Sequence, residues 1–369
     1  MTKGTSADLP AWKVLIPDGD SPFALLVAQC LKRGNPKLQV HATYIDRRAL
    51  TRYSRYVDRT VPLDPLEPIK GIMRSLKEGA YDVLLPVSGP GIELTARYAE
   101  DLAAHVDLAP VPTHDQIAKV NDKWLFHLAM QEAGIPTPVT ALVDSPSSLD
   151  TFHPEEPVLL KPRIGSGGIG IKKFGRASDL RKVLHEFIRP GAPYIVQRFV
   201  EGHDIDRSVL CIGGKVVAST VQQPVHASRG FAPSSALHFH RNAPVEAVVD
   251  GMMAVLGWNG IAHVDLRVPE GSETPVVIEV NPRYWSTLLG SLVAGTNFPW
   301  AHVKATKGVP VVSGPNKDCH YVSFNEWPAF LRRHGTSLSQ TGLFFGLADP
   351  LAILMKKFHP SSALGSDLA

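Results

Sequence analysis

Cysteine is scarce in this 369-residue chain: Cys30, Cys211 and Cys319 are the only three, and no two stand in a C-x-x-C spacing. Such a set supplies neither a disulfide framework nor a zinc knuckle, and it fits a reducing compartment. An excess of one charge is also wanting. Lys and Arg number 38 against 35 Asp and Glu, a formal net charge of +3, which gives no electrostatic case for nucleic acid. The most basic run, Arg47–Arg59 (RRALTRYSRYVDR), interleaves arginine with tyrosine and is read as a solvated loop. No apolar run approaches the ~20 residues that a membrane-spanning helix needs. The opening MTKGTSADLPAWKV has no apolar core of signal-peptide type. The expectation is a soluble cytoplasmic protein with neither nucleic acid nor membrane as partner.

With 44% hydrophobic and 20% charged residues the chain has an ordinary globular composition, and its length allows two or three domains. The first third alternates strand and helix patterns. Lys13–Gly19 reads as a short strand, Ser21 as the cap of a helix ending at Gly34, Leu38–Asp46 as a second strand and Tyr81–Gly89 as a third. GIELTARYAEDLAAH then has helical spacing. Such alternation predicts a parallel sheet with helices on both faces. The first turn, PDGDSP, lacks the dinucleotide glycine fingerprint, so no NAD is assigned to it. A helix over Asn121–Gly134 follows, and beyond it the pattern becomes strand-rich. The stretch DPLAILMKKF near the C-terminus is read as a packed terminal helix.

VLLKPRIGSGGIGIKKF, Val158–Phe174, places four glycines in six residues just after a lysine. Backbone N–H groups approach phosphate closely where no Cβ intervenes. A Walker A loop fails here, because Ile171 stands where its lysine belongs. Gly165, Gly167 and Gly170 satisfy G-x-G-x-x-G, but IGIKKF after them alternates like a strand and opens no helix. The glycines therefore sit at a strand–loop–strand hairpin, with Lys161 at the end of the first strand. A protein kinase is excluded by the lack of H-R-D and D-F-G. A surface hairpin without ligand stays open on these residues alone.

Gly260–Trp285 reads as a second hairpin around PEGSET. Glu279 and Asn281, two residues apart, project from one face. A turn centred near Ser272 sets Asp265 opposite Glu279. Facing carboxylates repel, and a cation between them relieves this. Three oxygen donors without a soft ligand suit Mg²⁺. Arg283 follows within reach of a phosphoryl oxygen; an exposed polar hairpin is the alternative. Between the two hairpins, an apolar strand Ile195–Val200 breaks at Gly202. Its edge offers backbone groups to a nucleobase, and Asp204 can accept from a ribose hydroxyl. His238 and His240 alternate onto one face and are read as ordinary strand histidines.

In order, NDK, LLKPRIGSGGIGI, IVQRFVEGHD, AHVDLRV and IEVNPR resemble the ATP-grasp superfamily. The likeness is strongest to its carbamoyl-phosphate-synthetase-like and pyrrolysine-biosynthesis-like carboxylate–amine ligases. It covers roughly residues 115–300 by motif and the N-terminal part by topology. The resemblance implies an α/β and α+β fold. A preATP-grasp nucleotide-fold-like domain (1–115) precedes an ATP-grasp domain (116–305), divided into a small ATP-lid part (116–195) and a large part (196–305). A C-terminal extension (306–369) follows.

The same resemblance implies ATP with Mg²⁺ or Mn²⁺. Lys123 and Lys161 contact the phosphates under a flap of Gly165, Ser166, Gly167, Gly168 and Gly170. Gln197 sits by the adenine amino group, where many relatives carry glutamate; Arg198 and Val200 offer backbone groups, and Asp204 holds the ribose. Asp265, Glu279 and Asn281 bind metal, Glu279 also facing the nucleotide, and Arg283 steadies an acyl phosphate. Lys161 and Arg283 are the implied catalytic pair. Arg229, in a segment Gln222–His240 that is a mobile substrate loop in relatives, is a candidate anion-binding residue. The implied activity joins a small-molecule carboxylate to an amine, releasing ADP and phosphate, in an enzyme expected to form homodimers. Bicarbonate activation, an ATP-binding regulator without turnover and a nicotinamide oxidoreductase remain as alternatives.

Overall fold

The computed structural model describes residues 9–165, 167–226, 234, 236–312, 317–323 and 337–358. The chain begins with a parallel sheet. β1 (Lys13–Ile16) buries three apolar residues and gives out at Pro17–Gly19. Ser21 accepts from Phe23 N at 3.2 Å and Pro22 takes the first helical position, so α1 (Pro22–Gly34) starts at once. β2 (Gln39–Tyr44), β3 (Arg59–Pro62), β4 (Val83–Leu84) and β5 (Asp107–Leu108) complete the sheet in the order β3-β2-β1-β4-β5. α2 (Pro68–Gly79), α3 (Gly89–Arg97) and α4 (Ala99–Ala103) connect the later strands.

Three expectations shift. The basic run ends in a strand, β3, which among the described strands pairs with β2 alone, so its polar residues fit an edge. Tyr81–Gly89 holds the fourth strand of the chain, and its paired part is two residues long. The helical stretch after it divides into α3 and α4 at Tyr98, whose φ of −110° and ψ of 26° leave the helical region. The helix expected over Asn121–Gly134 is present as α6 (Lys123–Glu132), and a further helix, α5 (His114–Asn121), precedes it. Asp122 divides them. Its carboxylate accepts from Trp124 N at 3.0 Å and Leu125 N at 3.2 Å, capping α6 in place of continuing α5.

A four-stranded antiparallel sheet comes next, in the order β6-β9-β7-β8, from β6 (Thr140–Leu142), β7 (Val158–Pro162), β8 (Lys172–Phe174) and β9 (Tyr194–Arg198). It has its own core, in which Leu160 and Val196 meet Leu180 of α7 (Ala177–Val183). The larger antiparallel sheet runs β14-β13-β10-β11-β12-β15. Its strands are β10 (Gly202–Ile212), β11 (Lys215–Pro224), β12 (Ala236–His240), β13 (Gly260–Pro269), β14 (Val276–Asn281) and β15 (Cys319–Val322).

Alternation divides the residues of this sheet between two faces. Val264 and Leu266 pack with Met252 and Met253 of α8 (Ala243–Leu256), around Trp258, and with Phe126 and Met130 of α6. The opposite face carries His263 and Asp265, and beside them lies a core shared with the parallel sheet. There α9 (Leu288–Val293) and α10 (Phe298–Thr306) join Trp285, Phe239 and Phe298 to Phe23, Val27 and Leu31 of α1. The helix expected at the C-terminus is Pro350–Phe358. Ala352 is buried, while Leu351, Leu354 and Phe358 stay exposed, so only part of it packs. No described helix is long and apolar enough to cross a membrane.

Candidate active site

Strand pairing builds the site as two rows across the large sheet. In the first, Glu279 faces Asp265, Asp265 faces Asp206 and Asp206 faces Gln222. In the second, Asn281 faces His263, His263 faces Ser208 and Ser208 faces Thr220. Asn281 Nδ2 donates to Asp265 Oδ2 at 3.2 Å and to Glu279 Oε1 at 3.3 Å, so the three side chains converge. Arg283 Nη2 in turn donates to Asn281 Oδ1 at 3.3 Å.

Two of the three carboxylates in this strip, Asp265 and Asp206, are short of balancing positive charge. Burial, then Glu279 and Asp206, push the Asp265 carboxyl well above the usual range, although a third of its side chain reaches solvent (33%). Asp206 is pushed up to about 7, chiefly by burial, against a 3.1 Å hydrogen bond from Gln222. For Glu279, burial also pushes upward, but Lys123, the bond to Asp265 and Lys161 outweigh it and hold the group low. Oxygen donors short of cationic partners are what a hard divalent ion takes, so the residues present fit Mg²⁺. His263 adds a nitrogen beside them. Its Nε2 lies 3.4 Å from Asp265 and 3.9 Å from Asp206. Its Nδ1 shares a 2.9 Å hydrogen bond with Ser208 Oγ, and its ring stacks on Trp285. Burial pulls the imidazole down to about 3, helped by Arg283, so it is neutral at pH 7.

Two lysines face these acids. Lys161 is 4% exposed and donates to Gln197 Oε1 at 2.7 Å. Burial pulls its ammonium down to about 8, opposed by Glu279 and reinforced by Lys123. Lys123 bonds to the Gly165 carbonyl, and burial lowers it too, with Glu279 opposing. Arg163 Nε reaches both Asp122 oxygens at 2.8 Å, and Lys123 N donates to Arg163 O at 3.0 Å. The N-terminus of α6 is thus stitched to the glycine loop.

The glycines lie between the antiparallel strands β7 and β8. Gly165, Gly167, Gly168 and Gly170 have φ of 133°, 69°, 78° and 75°, values that side chains with a Cβ rarely adopt. Ser166 and Arg229 lie outside the described residues. Gln197 is engaged at both ends of its amide, with Nε2 donating to Thr140 Oγ1 at 3.0 Å. The Arg198 N–H is already taken by Val139 O at 2.9 Å, so that donor is not free for a base; Val200 follows β9 outside the sheet. Asp204 forms a 3.0 Å ion pair with Arg267. Arg283 lies over the Phe23 ring at 5.0 Å, and Tyr284 N donates to Val87 O at 3.1 Å, tying this strand end to the parallel sheet. His238 and His240 stack with ring centres 4.9 Å apart; His238 also stacks on His320 and its Nε2 is 2.8 Å from Asp318.

Sequence reasoning did not single out Asp206, His263, Gln222 or Thr287, whose Oγ1 donates to Gln222 Oε1 at 2.9 Å. The signal for two of them was present. His263 alternates with Asp265 and Asp206 with Asp204, which places each pair on one face.

A glycine flap, two lysines and a carboxylate–amide cluster on an antiparallel sheet, behind a parallel α/β sheet, define a phosphate-handling enzyme architecture. A model of the ATP-grasp domain matches residues 120–287. The chain is 31% identical over 218 residues to a probable alpha-L-glutamate ligase of Sodalis glossinidius, covering 54% of this chain and 69% of that protein. It is 26% identical over 242 residues to a D-alanine–D-alanine ligase of Nitrosospira multiformis, covering 60% and 76%. A match of 26% over 240 residues, 60% of this chain, to the carbamoyl phosphate synthase large chain of Thermomicrobium roseum spans only 21% of that protein.

Solved structures share the fold. An L-amino acid ligase from Bacillus licheniformis has a TM-score of 0.56 at 20% identity, covering 80% of this chain and 73% of that one. N5-carboxyaminoimidazole synthetase from Staphylococcus aureus complexed with ADP has 0.67 at 14%, covering 86% of each chain. The chain belongs to the ATP-grasp family.

Proposed function

We propose that this protein is an ATP-dependent ligase joining a carboxylate to an amine through an acyl phosphate. The observation that carries the reading is the convergence of Asp265, Glu279 and Asn281 with Lys161 and Lys123 on one side and Arg283 on the other. The relatives named as α-L-glutamate and D-alanine ligases support the same class.

In the first step a carboxylate oxygen of the substrate attacks the γ-phosphorus of ATP. A new P–O bond forms, the bond to the bridging oxygen breaks and ADP leaves. In the second, the amine nitrogen attacks the acyl carbon, phosphate leaves with its oxygen, and the nitrogen sheds one proton. Negative charge gathers on the phosphoryl oxygens in the first step. Fixed cations in a closed site stabilise it more than water does. Lys161 brings charge from the small sheet, Lys123 from the first residue of α6, and Arg283 from just past β14. Asp265, Glu279 and Asn281 would hold Mg²⁺, which supplies further positive charge at the phosphate oxygens when bound. The Gly165–Gly170 flap would exclude water that hydrolyses the acyl phosphate. Neutral His263 and the Asp206–Gln222–Thr287 chain extend the polar strip away from Glu279, where a substrate beyond the phosphate would lie.

ADP release with Mg·ATP, measured against pooled amino acids and small acids singly and in pairs, tests the proposal. A requirement for both an acid and an amine supports it. A structural neighbour named for a carboxylated product favours a second reading, in which bicarbonate is the activated acid. ADP formation that needs bicarbonate and no organic acid would establish that instead.

A further inference from the structure

β10 and β13 bring two carboxylates and an imidazole to one spot on the open face of the large sheet. His263 Nε2 lies 3.4 Å from Asp265 Oδ1 and 3.9 Å from Asp206 Oδ2, and one ligand atom from each of the three residues lies within 4.8 Å of the others. An N–H···O bond is shorter, about 2.7–3.2 Å. Atoms bound to one ion at about 2.0–2.2 Å stand roughly 3–4 Å apart instead. Each side chain is also oriented by a neighbour. His263 Nδ1 shares its 2.9 Å bond with Ser208 Oγ, and the ring stacks on Trp285 with centres 5.5 Å apart. Gln222 Nε2 donates to Asp206 Oδ2 at 3.1 Å, and Thr287 Oγ1 donates to the oxygen of that amide at 2.9 Å. Metal-binding imidazoles and carboxylates carry such outer partners, which fix the ring and the carboxylate plane.

We propose that Asp206, His263 and Asp265 hold a divalent cation of the borderline class, Zn²⁺, Co²⁺ or Mn²⁺, separate from the Mg²⁺ assigned to Asp265, Glu279 and Asn281. With Nδ1–H donating to Ser208 Oγ, Nε2 keeps its lone pair for the ion. An imidazole nitrogen selects this class over Mg²⁺, which takes oxygen. Asp265 is common to both sets and turns a different oxygen to each. Oδ1 faces His263, while Oδ2 accepts from Asn281 Nδ2 at 3.2 Å, so one carboxylate bridges two ions. A bare pairing of His263 with Asp265 is the competing account. It leaves Asp206 and Asp265 facing each other across β10 and β13 with no cation between them, which is costly. The ion needs no nucleotide to bind, so its presence is separable from the ligase reading.

The test is a Co²⁺ titration of the full chain, without nucleotide and in excess Mg²⁺, followed by visible absorption and proton NMR. One equivalent is expected to bind, with a paramagnetically shifted, exchangeable imidazole N–H resonance from the Nδ1 proton that Ser208 holds. His263→Gln should remove that resonance. His238→Ala, in the other histidine group, should leave it in place. Asp206→Asn keeps the imidazole and should weaken Co²⁺ by at least the roughly 10–100-fold that losing an outer partner costs. Circular dichroism melting in EDTA no lower than that of the wild type would show that the variants keep the fold. A wild type with no shifted resonance, or Co²⁺ displaced entirely by Mg²⁺, would overturn the proposal whatever the variants do. So would a resonance that survives His263→Gln or vanishes in His238→Ala, or an unchanged affinity in Asp206→Asn.

Discussion

Lys161 and Gln197 meet through a 2.7 Å hydrogen bond in the small sheet, at 4% and 6% exposure. An amide there accepts the bond but supplies no charge, so burial dominates and holds the ammonium near 8. A lysine that binds phosphate must carry its proton. We expect kcat/KM for ATP to fall as pH rises through about 8, since that quantity reports the free enzyme. Gln197→Glu sets a carboxylate opposite the ammonium and should move that alkaline limb upward. Profiles of ADP release against pH for both proteins check this; a limb that stays in place would assign it to another group.

Removing single charges at the site should be costly. Lys161→Ala and Glu279→Ala are each expected to lower turnover on the order of 10²–10³-fold. Chelation by EDTA should stop ADP release, and added Mg²⁺ should restore it. Near-normal ADP production by either variant would remove the role assigned to that residue.

The same acids should weaken the fold when no cation balances them. Asp265 faces carboxylates on both neighbouring strands, Glu279 and Asp206. Asp265→Asn relieves that repulsion, so in EDTA it should melt above the wild type while losing turnover. A lower melting temperature for the variant in EDTA would show that the carboxylate is already compensated.

Asp18 offers a pH test away from the reacting groups. It accepts from Ser88 N and Ser88 Oγ at 2.6 Å each and from Val87 N at 3.1 Å, yet burial outweighs these bonds and raises its pKa from 3.8 to about 6. A raised acid favours the folded state fully below 3.8 and loses that contribution as pH climbs through about 6. Stability should therefore drop over that window by on the order of 1–3 kcal/mol. Asp18→Asn cannot titrate and should flatten the slope, as read by urea unfolding at a series of pH values.

Gly91 is set against the same carboxylate. A Cβ there would lie 2.1 Å from Asp18 Oδ2 and 2.5 Å from Cγ, and the three bonds leave Asp18 little room to withdraw. Gly91→Ala is expected to cost about 1–3 kcal/mol. A urea midpoint equal to the wild type would mean that the β4–α3 turn yields.

Much of the site was legible because its pieces are local. A turn near Ser272 puts Asp265 and Glu279 close to opposite each other, and a register shift between Asp265 and Leu266 completes the pairing. The glycine loop was legible because alternation on both sides of it marks strands. Asp206 and Gln222 were not, since they reach Asp265 through pairings of β10 with β13 and β11, and sequence spacing carries no register between separate strands. The helix before Asp122, α5, was not read from the sequence, although Thr113 and Gln116 stand at capping-box spacing ahead of it.

The Asp122–Arg163 pair joins two bodies with separate interiors. Asp122 caps α6, whose Phe126 and Met130 belong to the core under the large sheet. Arg163 lies just past β7, in the sheet that packs on α7. On the proposed function, a glycine loop that lifts to admit a nucleotide would strain this ion pair, and the pair would then act as a latch between the two bodies.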